Sequence, residues 1–317
     1  MMRKVRKSKA HELSRREVLM LGAGAALAAA MPRIAITAQG TATMTKRAIP
    51  SSGEPLPVIG LGTSDTFDVG ASAEERLPLR GVLQLMIESG ASVIDSSPMY
   101  GRSEGVIGDL TSDMGIRDEI FYATKVWTRG RQDGIKQMEQ SFARFKVDEI
   151  DLIQVHNLID TDTHLDTLDE WKKAGRIRYT GITHYQESAY DALMRVMRAR
   201  KIDFVQFNYS PLNTDAEKEL LPLAADRGVA TLINRPFLDG QAFSLTRGKE
   251  LPPWAAEFDC ESWAQFFLKY IVGHPAVTCV IPGTSDPRHA RDNFAAGHGR
   301  LPDEKMRKRM RDYLRDL

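Results

Sequence analysis

Short β-branched runs alternate with amphipathic helical stretches from about residue 45 to the end of this chain, and few folds accommodate that rhythm. Strand candidates stand at 58–62, 93–96, 120–125, 150–156, 179–182, 204–208, 230–234 and 278–281. Between them, segments 79–88, 135–145, 165–173, 190–199 and 216–226 carry apolar residues at helical spacing. Gly90, Gly175 and Gly228 stand where helices should end, just ahead of the next strand. Repeated strand–helix units give a parallel sheet covered by helices, and eight of them can close on themselves. The expected class is therefore α/β, a (β/α)8 TIM barrel, with residues 45–317 as its single domain. Ahead of the first strand, RAIPSSGEPLPVIG (47–60) sets a Ser-Ser-Gly-Glu turn between two apolar runs, which predicts an N-terminal β-hairpin over the barrel bottom.

Charge excludes one class of partner. The chain has 43 basic and 42 acidic residues, a formal net charge of +1, so it has no excess of cations to exchange for phosphate counterions. Nucleic acid is not an expected partner. The two cysteines, Cys260 and Cys279, have neither a metal-ligand spacing nor a disulfide framework and read as buried small hydrophobes.

The first 42 residues differ from the rest. Arg3, Lys4, Arg6, Lys7 and Lys9 precede SRREVLM (14–20), and an Ala/Gly-rich apolar run follows over 18–31. As a helix that run would rise about 21 Å, short of the ~30 Å hydrocarbon layer, so no stable membrane span is expected. A basic opening before a short apolar stretch is the layout of a cleaved secretory signal. Arg15 and Arg16 resemble the pair of a twin-arginine export signal. Residues 1–42 are expected to engage the export machinery and to deliver the protein to the periplasm.

In such barrels the chemistry gathers at the C-terminal ends of the strands. Read in order, those ends offer Gly62-Thr63, Asp95, Lys125, His156, Thr183-His184, Gln206, Asn234-Arg235 and Gly283-Thr284-Ser285. Tyr100 follows Asp95 in the loop SSPMYGRSEG. A tyrosine hydroxyl, with a pKa near ~10, is a reluctant proton donor or acceptor at neutral pH. A nearby lysine ammonium is expected to lower that value, and an aspartate to keep the lysine charged and in place. A neutral histidine can hold a substrate oxygen within reach of the phenol. The set suits proton transfer to a carbonyl oxygen while hydride arrives at its carbon. His156 with Asp95 lacks a third ligand at suitable spacing, so no metal is expected.

GLGT (60–63), VIDSSPMYGRSE (93–104), ATKVW (123–127), DLIQVH (151–156), GITHY (181–185), VQFNYSPL (205–212) and VIPGTSDPRHARDNFAA (280–296) resemble, in the same order, the successive motifs of the aldo-keto reductase superfamily. The resemblance implies a catalytic tetrad of Asp95, Tyr100, Lys125 and His156, with Tyr100 as general acid. It also implies a nicotinamide cofactor that exchanges hydride with a small-molecule carbonyl or alcohol. Gly62 and Thr63 would approach the nicotinamide half, Gln206 its carboxamide, and Thr183 and His184 would stand where relatives carry Ser-Asn. Arg235 would reach the pyrophosphate. Asn234 sits where an aromatic often stacks, so the stacking role has no owner. Gly283, Thr284 and Ser285 lead into a helix as a phosphate cradle. Relatives that prefer NADPH often have Lys at position 283 and Arg at 289, where this chain has Gly283 and His289, and Arg288 or Arg291 would compensate. Asp292 and Asn293 match the pair that reads the adenine. NADP(H) is the favoured cofactor, with NAD(H) as the alternative. Trp127 and Met99 are candidates for the pocket wall, and Trp254 and Trp263 for packing around the last helix. A cofactor-holding but non-catalytic protein of the same fold is the competing reading, since fold alone does not establish an activity. A phosphate-binding isomerase would leave the four ionisable groups unexplained.

Overall fold

The computed structural model describes residues 43–317; the expected export segment, 1–42, lies outside the described residues. A hairpin of β1 (Lys46–Ala48) and β2 (Pro55–Pro57) pairs antiparallel with Arg47 opposite Leu56. Then β3 (Leu61–Gly62), β4 (Val93–Asp95), β5 (Phe121–Val126), β6 (Ile150–His156), β7 (Ile177–Thr183), β8 (Phe204–Asn208), β9 (Ala230–Asn234) and β10 (Cys279–Val280) form one parallel sheet in sequence order. Parallel bridges from Ile59 to Val280 and from Gly62 to Gly283 bring its two edges together. The Gly60 N–H donates to the Val280 carbonyl at 2.8 Å and the Val280 N–H to the Val58 carbonyl at 2.9 Å. The result is the TIM barrel that the alternating pattern predicts.

Inside it, Phe121, Leu152, Tyr179, Phe204, Leu232 and Ile281 belong to a buried cluster that Ile49 and Leu56 of the hairpin complete. The Ser52 hydroxyl meets that of Tyr179 at 2.8 Å, so the hairpin covers the bottom of the cylinder. Cys279 lies in this cluster and Cys260 in the larger one between barrel and helices, both as free buried thiols. Burial pushes the Cys260 thiol up to about 12 and raises Cys279 as well.

Helices α1 (Ala73–Glu88), α2 (Ser103–Met114), α3 (Arg131–Phe145), α4 (Thr161–Lys173), α5 (Tyr190–Ala199), α6 (Leu220–Arg227), α7 (Gln241–Thr246), α8 (Trp263–Val272), α9 (Pro287–Ala295) and α10 (Glu304–Arg315) surround the sheet. The first of these begins earlier than its apolar spacing suggests. Ser72 accepts from the Glu75 N–H at 3.2 Å and donates to the Glu75 carboxylate at 2.7 Å, which starts the helix ahead of Pro78. Helix α2 carries no strong signal, because Ser, Gly, Thr and Asp are weak helix formers. Packing makes it: Val106, Ile107 and Leu110 are buried, and a Cβ at Gly108 would strike the backbone carbonyl of Arg144 on α3. The charged run near the C-terminus forms α10, and Arg307 ties it down by donating to the Tyr209 hydroxyl at 2.6 Å and to Glu217 at 2.5 Å. Trp254 and Trp263 both pack on Tyr313 of that helix, at 5.7 and 6.4 Å between ring centres. Among the described residues, no helix is long and apolar enough to cross a membrane.

Candidate active site

The ends of β4, β5 and β6 bring Asp95, Lys125 and His156 to the same mouth of the barrel, and the loop after β4 returns Tyr100 above them. Lys125 is fully buried and Asp95 is 3% exposed. The lysine Nζ donates to Asp95 Oδ2 at 2.6 Å and to the Ser96 carbonyl at 2.6 Å, and it lies 5.0 Å from the Tyr100 ring centre. Burial works against the Lys125 ammonium, but Asp95 and then Tyr100 overcome it, so its pKa stands above the ordinary lysine value. The lysine therefore stays charged, as expected.

Tyr100 behaves differently from expectation. Burial raises its pKa above 10 and Asp95 adds to that, so the opposing pull of Lys125 is outweighed. The phenol is held in its protonated form. His156, 6% exposed, is pushed down to about 3 by burial, then by Lys125 and His184, and is a neutral imidazole across the physiological range. Its ring meets Tyr100 edge-on at 6.1 Å and Trp127 at 6.4 Å, which places Trp127 beside the site. The turn that carries His156 is unusual, with Asn157, Leu158 and Asp160 all left-handed at φ 53–54°. Strain of that kind persists where surrounding contacts over-determine the backbone. Here the Asn157 N–H donates to the Thr183 carbonyl at 2.8 Å and the Gly130 N–H to Asp160 at 2.7 Å.

A layer of buried amides backs the carboxylate. Asp95 Oδ1 accepts from Gln206 Nε2 at 2.8 Å and from Gln154 Nε2 at 3.2 Å. Gln206 Oε1 in turn accepts from the Thr183 hydroxyl at 3.1 Å and from Asn234 Nδ2 at 3.3 Å. Thr63 donates to the Asp95 backbone carbonyl at 3.0 Å. Gln206, expected to face a carboxamide, thus has its side chain engaged in orienting Asp95. Gln154 has no counterpart in the sequence reading, although its place two strands from Asp95, beside Lys125 and pointing inward, could have marked it.

One cavity of about 1070 Å³ runs from Tyr100 across the mouth to α9. Asp95, Tyr100 and His156 line its one end, with Met99 and Asn157. Gly62, Thr63, Thr183, Gln206, Asn234 and Arg235 line its middle, and Gly283, Thr284, His289, Asp292 and Asn293 its far end. Lys125 lies behind this surface and acts on it through Asp95 and Tyr100. A profile of the aldo/keto reductase family matches residues 58–310. The chain belongs to that family. It is 28% identical to an aldo-keto reductase of Strobilurus tenacellus, over 79% of this chain and 84% of that one. It is 26% identical to the methylglyoxal reductase of Escherichia coli K12, over 80% and 89%. An aldo/keto reductase of Klebsiella pneumoniae, solved in complex with NADP and acetate, shares the fold with a TM-score of 0.73 at 21% identity, covering 85% of this chain and 95% of that one.

Within this aldo/keto reductase the remaining sequence candidates divide. His184 stands outside the cavity lining, accepting from the Gln186 N–H at 3.1 Å and stacking on Tyr185, because its Nδ1 closes its own loop. Arg235 lines the cavity at φ 49°, ion-paired to Asp239 and 5.6 Å from the Tyr185 ring centre. Ser285, Arg288 and Arg291 fall outside the lining. Arg288 is drawn away by Asp286, which accepts from its guanidinium at 2.7 Å and from its N–H at 2.8 Å as the cap of α9. Asp292 lines the cavity, but Ser262 donates to it at 2.7 Å and Gln265 at 2.7 Å, so its carboxylate braces α8 against α9. Gly62 answers to the backbone first: a Cβ there would come 2.7 Å from the Ile281 carbonyl, so barrel closure alone requires glycine.

The sequence reading missed Tyr185, Phe237 and Phe243 and gave Trp263 packing alone, yet all four line the cavity. Phe237 and Phe243 lie 5.0 Å apart between ring centres. Phe237, in the loop after β9, lines the cavity three residues beyond Asn234. The signal was available as Asn-Arg-Pro-Phe immediately after a predicted strand.

Proposed function

We propose that this aldo/keto reductase reduces aldehydes or ketones to alcohols, or runs the reverse, with Tyr100 as general acid. The convergence of Asp95, Tyr100 and His156 at one end of a single cavity, with Lys125 directly behind them, carries the reading. A nicotinamide dinucleotide fits the rest of it. Asn234 Oδ1 is buried there without a hydrogen-bond partner, an acceptor suited to a carboxamide, and Phe237 offers a ring face. At the far end Gly283 and Thr284 precede the capped N-terminus of α9, which suits phosphate. Gly283, Thr284, His289, Asp292 and Asn293 at that end include no lysine or arginine, and Arg288 is held by Asp286, so the chain accepts NAD(H) alongside NADP(H).

When bound, the reduced cofactor supplies hydride to the carbonyl carbon. The protein handles the proton. Burial keeps the Tyr100 phenol protonated until the carbonyl oxygen gains charge, and the phenol then donates to that oxygen. The Lys125 ammonium, 5.0 Å from the ring centre, favours the phenolate that remains, and Asp95 keeps the ammonium in place. His156, neutral, holds the oxygen against the phenol. Met99 and Tyr185, each about 40% exposed, line the cavity, and the similarly exposed Trp127 lies beside His156, a surround that admits varied carbonyl substituents. Tyr100→Phe is expected to bind cofactor normally and to lose about two to four orders of magnitude in turnover of a reactive aldehyde. Near-full activity in that variant would assign the acid elsewhere, and cofactor binding without turnover in the parent would favour the non-catalytic reading.

The chain is exported through the twin-arginine route, on the strength of Arg15 and Arg16 ahead of the apolar run 18–31. Substituting both arginines by lysine should retain the protein in the cytoplasm of a fractionated cell; unchanged periplasmic delivery would reject that route. Because that route carries folded proteins, the cofactor is retained tightly from the cytoplasm, and periplasmic protein should contain bound nucleotide.

A further inference from the structure

Beyond Asp95, the hydroxyl of Ser97 lies 3.2 Å from Nδ1 of His156. Ser97 is fully buried and His156 nearly so. Counting donors and acceptors decides where the protons are. The serine oxygen accepts a long hydrogen bond from the Met99 N–H at 3.4 Å. Its own hydrogen is shielded from solvent, and among the described residues Nδ1 of His156 is the acceptor within reach. A hydroxyl has one hydrogen to give, and a neutral imidazole has one bare nitrogen to receive it. With the proton on Nδ1 instead, the serine hydrogen would be buried without a partner, a worse outcome than losing an ordinary hydrogen bond. The neighbouring rings of Tyr100 and Trp127 present edges and faces to the imidazole, and Lys125 repels a second proton.

We infer that Ser97 is a positioning residue that fixes His156 as the Nε2–H tautomer, so that the imidazole turns a donor, not a lone pair, toward the cavity beside Tyr100. A carbonyl oxygen placed between the two then receives two hydrogen bonds, one from the phenol and one from the imidazole. With the other tautomer a lone pair would face the oxygen and repel the charge that develops on it. The second-sphere hydrogen bond of a histidine is what sets which ring nitrogen carries the proton. The tautomer rests on the Ser97 geometry alone; its catalytic consequence rests on the function proposed above.

The test uses the full chain with ¹⁵N-labelled histidine rings, the His156 signals being assigned by their loss in His156→Gln. Long-range ¹⁵N–¹H spectra at neutral pH should show a protonated Nε2 and a bare Nδ1 for this residue. Ser97→Ala, a one-atom deletion, should shift both nitrogens toward an exchange-averaged mixture, and Ser97→Thr should restore the parent spectrum. Kinetically, Ser97→Ala should lower kcat with a reactive aldehyde about fivefold to tenfold, the equivalent of one neutral hydrogen bond, with cofactor affinity unchanged. In a His156→Gln background the same change should cost nothing further. A protonated Nδ1 in the parent chain, or an equal loss in both backgrounds, would overturn the inference. If the parent turns over no carbonyl, the reductase reading falls and the nitrogen spectrum alone decides the tautomer.

Discussion

Replacing Lys125 by methionine tests both the site and its energetics. In the folded protein the Lys125 ammonium is wholly dehydrated, with Asp95 and the Ser96 carbonyl each 2.6 Å away. Lys125→Met leaves a carboxylate buried without its counter-charge, and breaking such a pair from one side typically costs about 3–5 kcal/mol. Asp95 keeps the amides of Gln154 and Gln206 at 3.2 and 2.8 Å, which places the loss at the lower end, about 3 kcal/mol. For a barrel of this size that corresponds to a melting temperature lower by roughly 5–10 °C. Asp95→Asn should cost a similar amount, since it strands the ammonium. The double variant removes both charges at once, so its loss should be smaller than the sum by about 2 kcal/mol, although all three variants lose turnover. Thermal or urea unfolding of the four proteins gives the cycle directly. Strict additivity, or a Lys125→Met protein as stable as the parent, would mean that the two groups are not a dehydrated ion pair, and the account of Lys125 as the tuner of Tyr100 would fall with it.

Acid should destabilise this protein through His156. Its folded pKa, about 3, lies below the unfolded value of 6.5, so between these limits the unfolded chain binds the extra proton and stability declines as pH falls. From pH 7 to 4.5 this group alone withdraws roughly 2–3 kcal/mol. His274, pushed down to about 4 by burial and Arg307, adds in the same direction. Urea midpoints at the two pH values should converge more closely in His156→Gln than in the parent; an unchanged interval would show that the imidazole is not buried neutral. Asp286→Asn keeps the α9 cap, since asparagine caps as well as aspartate, but removes the carboxylate and releases Arg288. Fluorescence titration should then show NADPH binding strengthened severalfold with NADH little changed, and an equal shift for both would remove Asp286 from the ribose end of the site.

What the sequence could and could not reveal divides along a physical line. Strand periodicity survives in a linear text because each strand carries its own β-branched run, so eight parallel strands and the groups at their ends were legible, Asp95, Lys125 and His156 among them. Helix α2 was not, because its weak intrinsic propensity is overridden by contact with α3 at Gly108, a fact about a neighbour distant in the chain. The same limit governs the site. A motif names the residue at a strand end but not what its side chain is already bonded to. Gln206 is engaged with Asp95, Asp292 with Ser262 and Gln265, and Arg288 with Asp286, so three groups assigned to a cofactor have protein partners as well. Signs of pKa shifts are harder still, since they turn on which of two opposed effects is larger. A lysine beside a tyrosine favours a lower phenol pKa. At Tyr100 dehydration exceeds it, and only the depth of the cavity decides that contest.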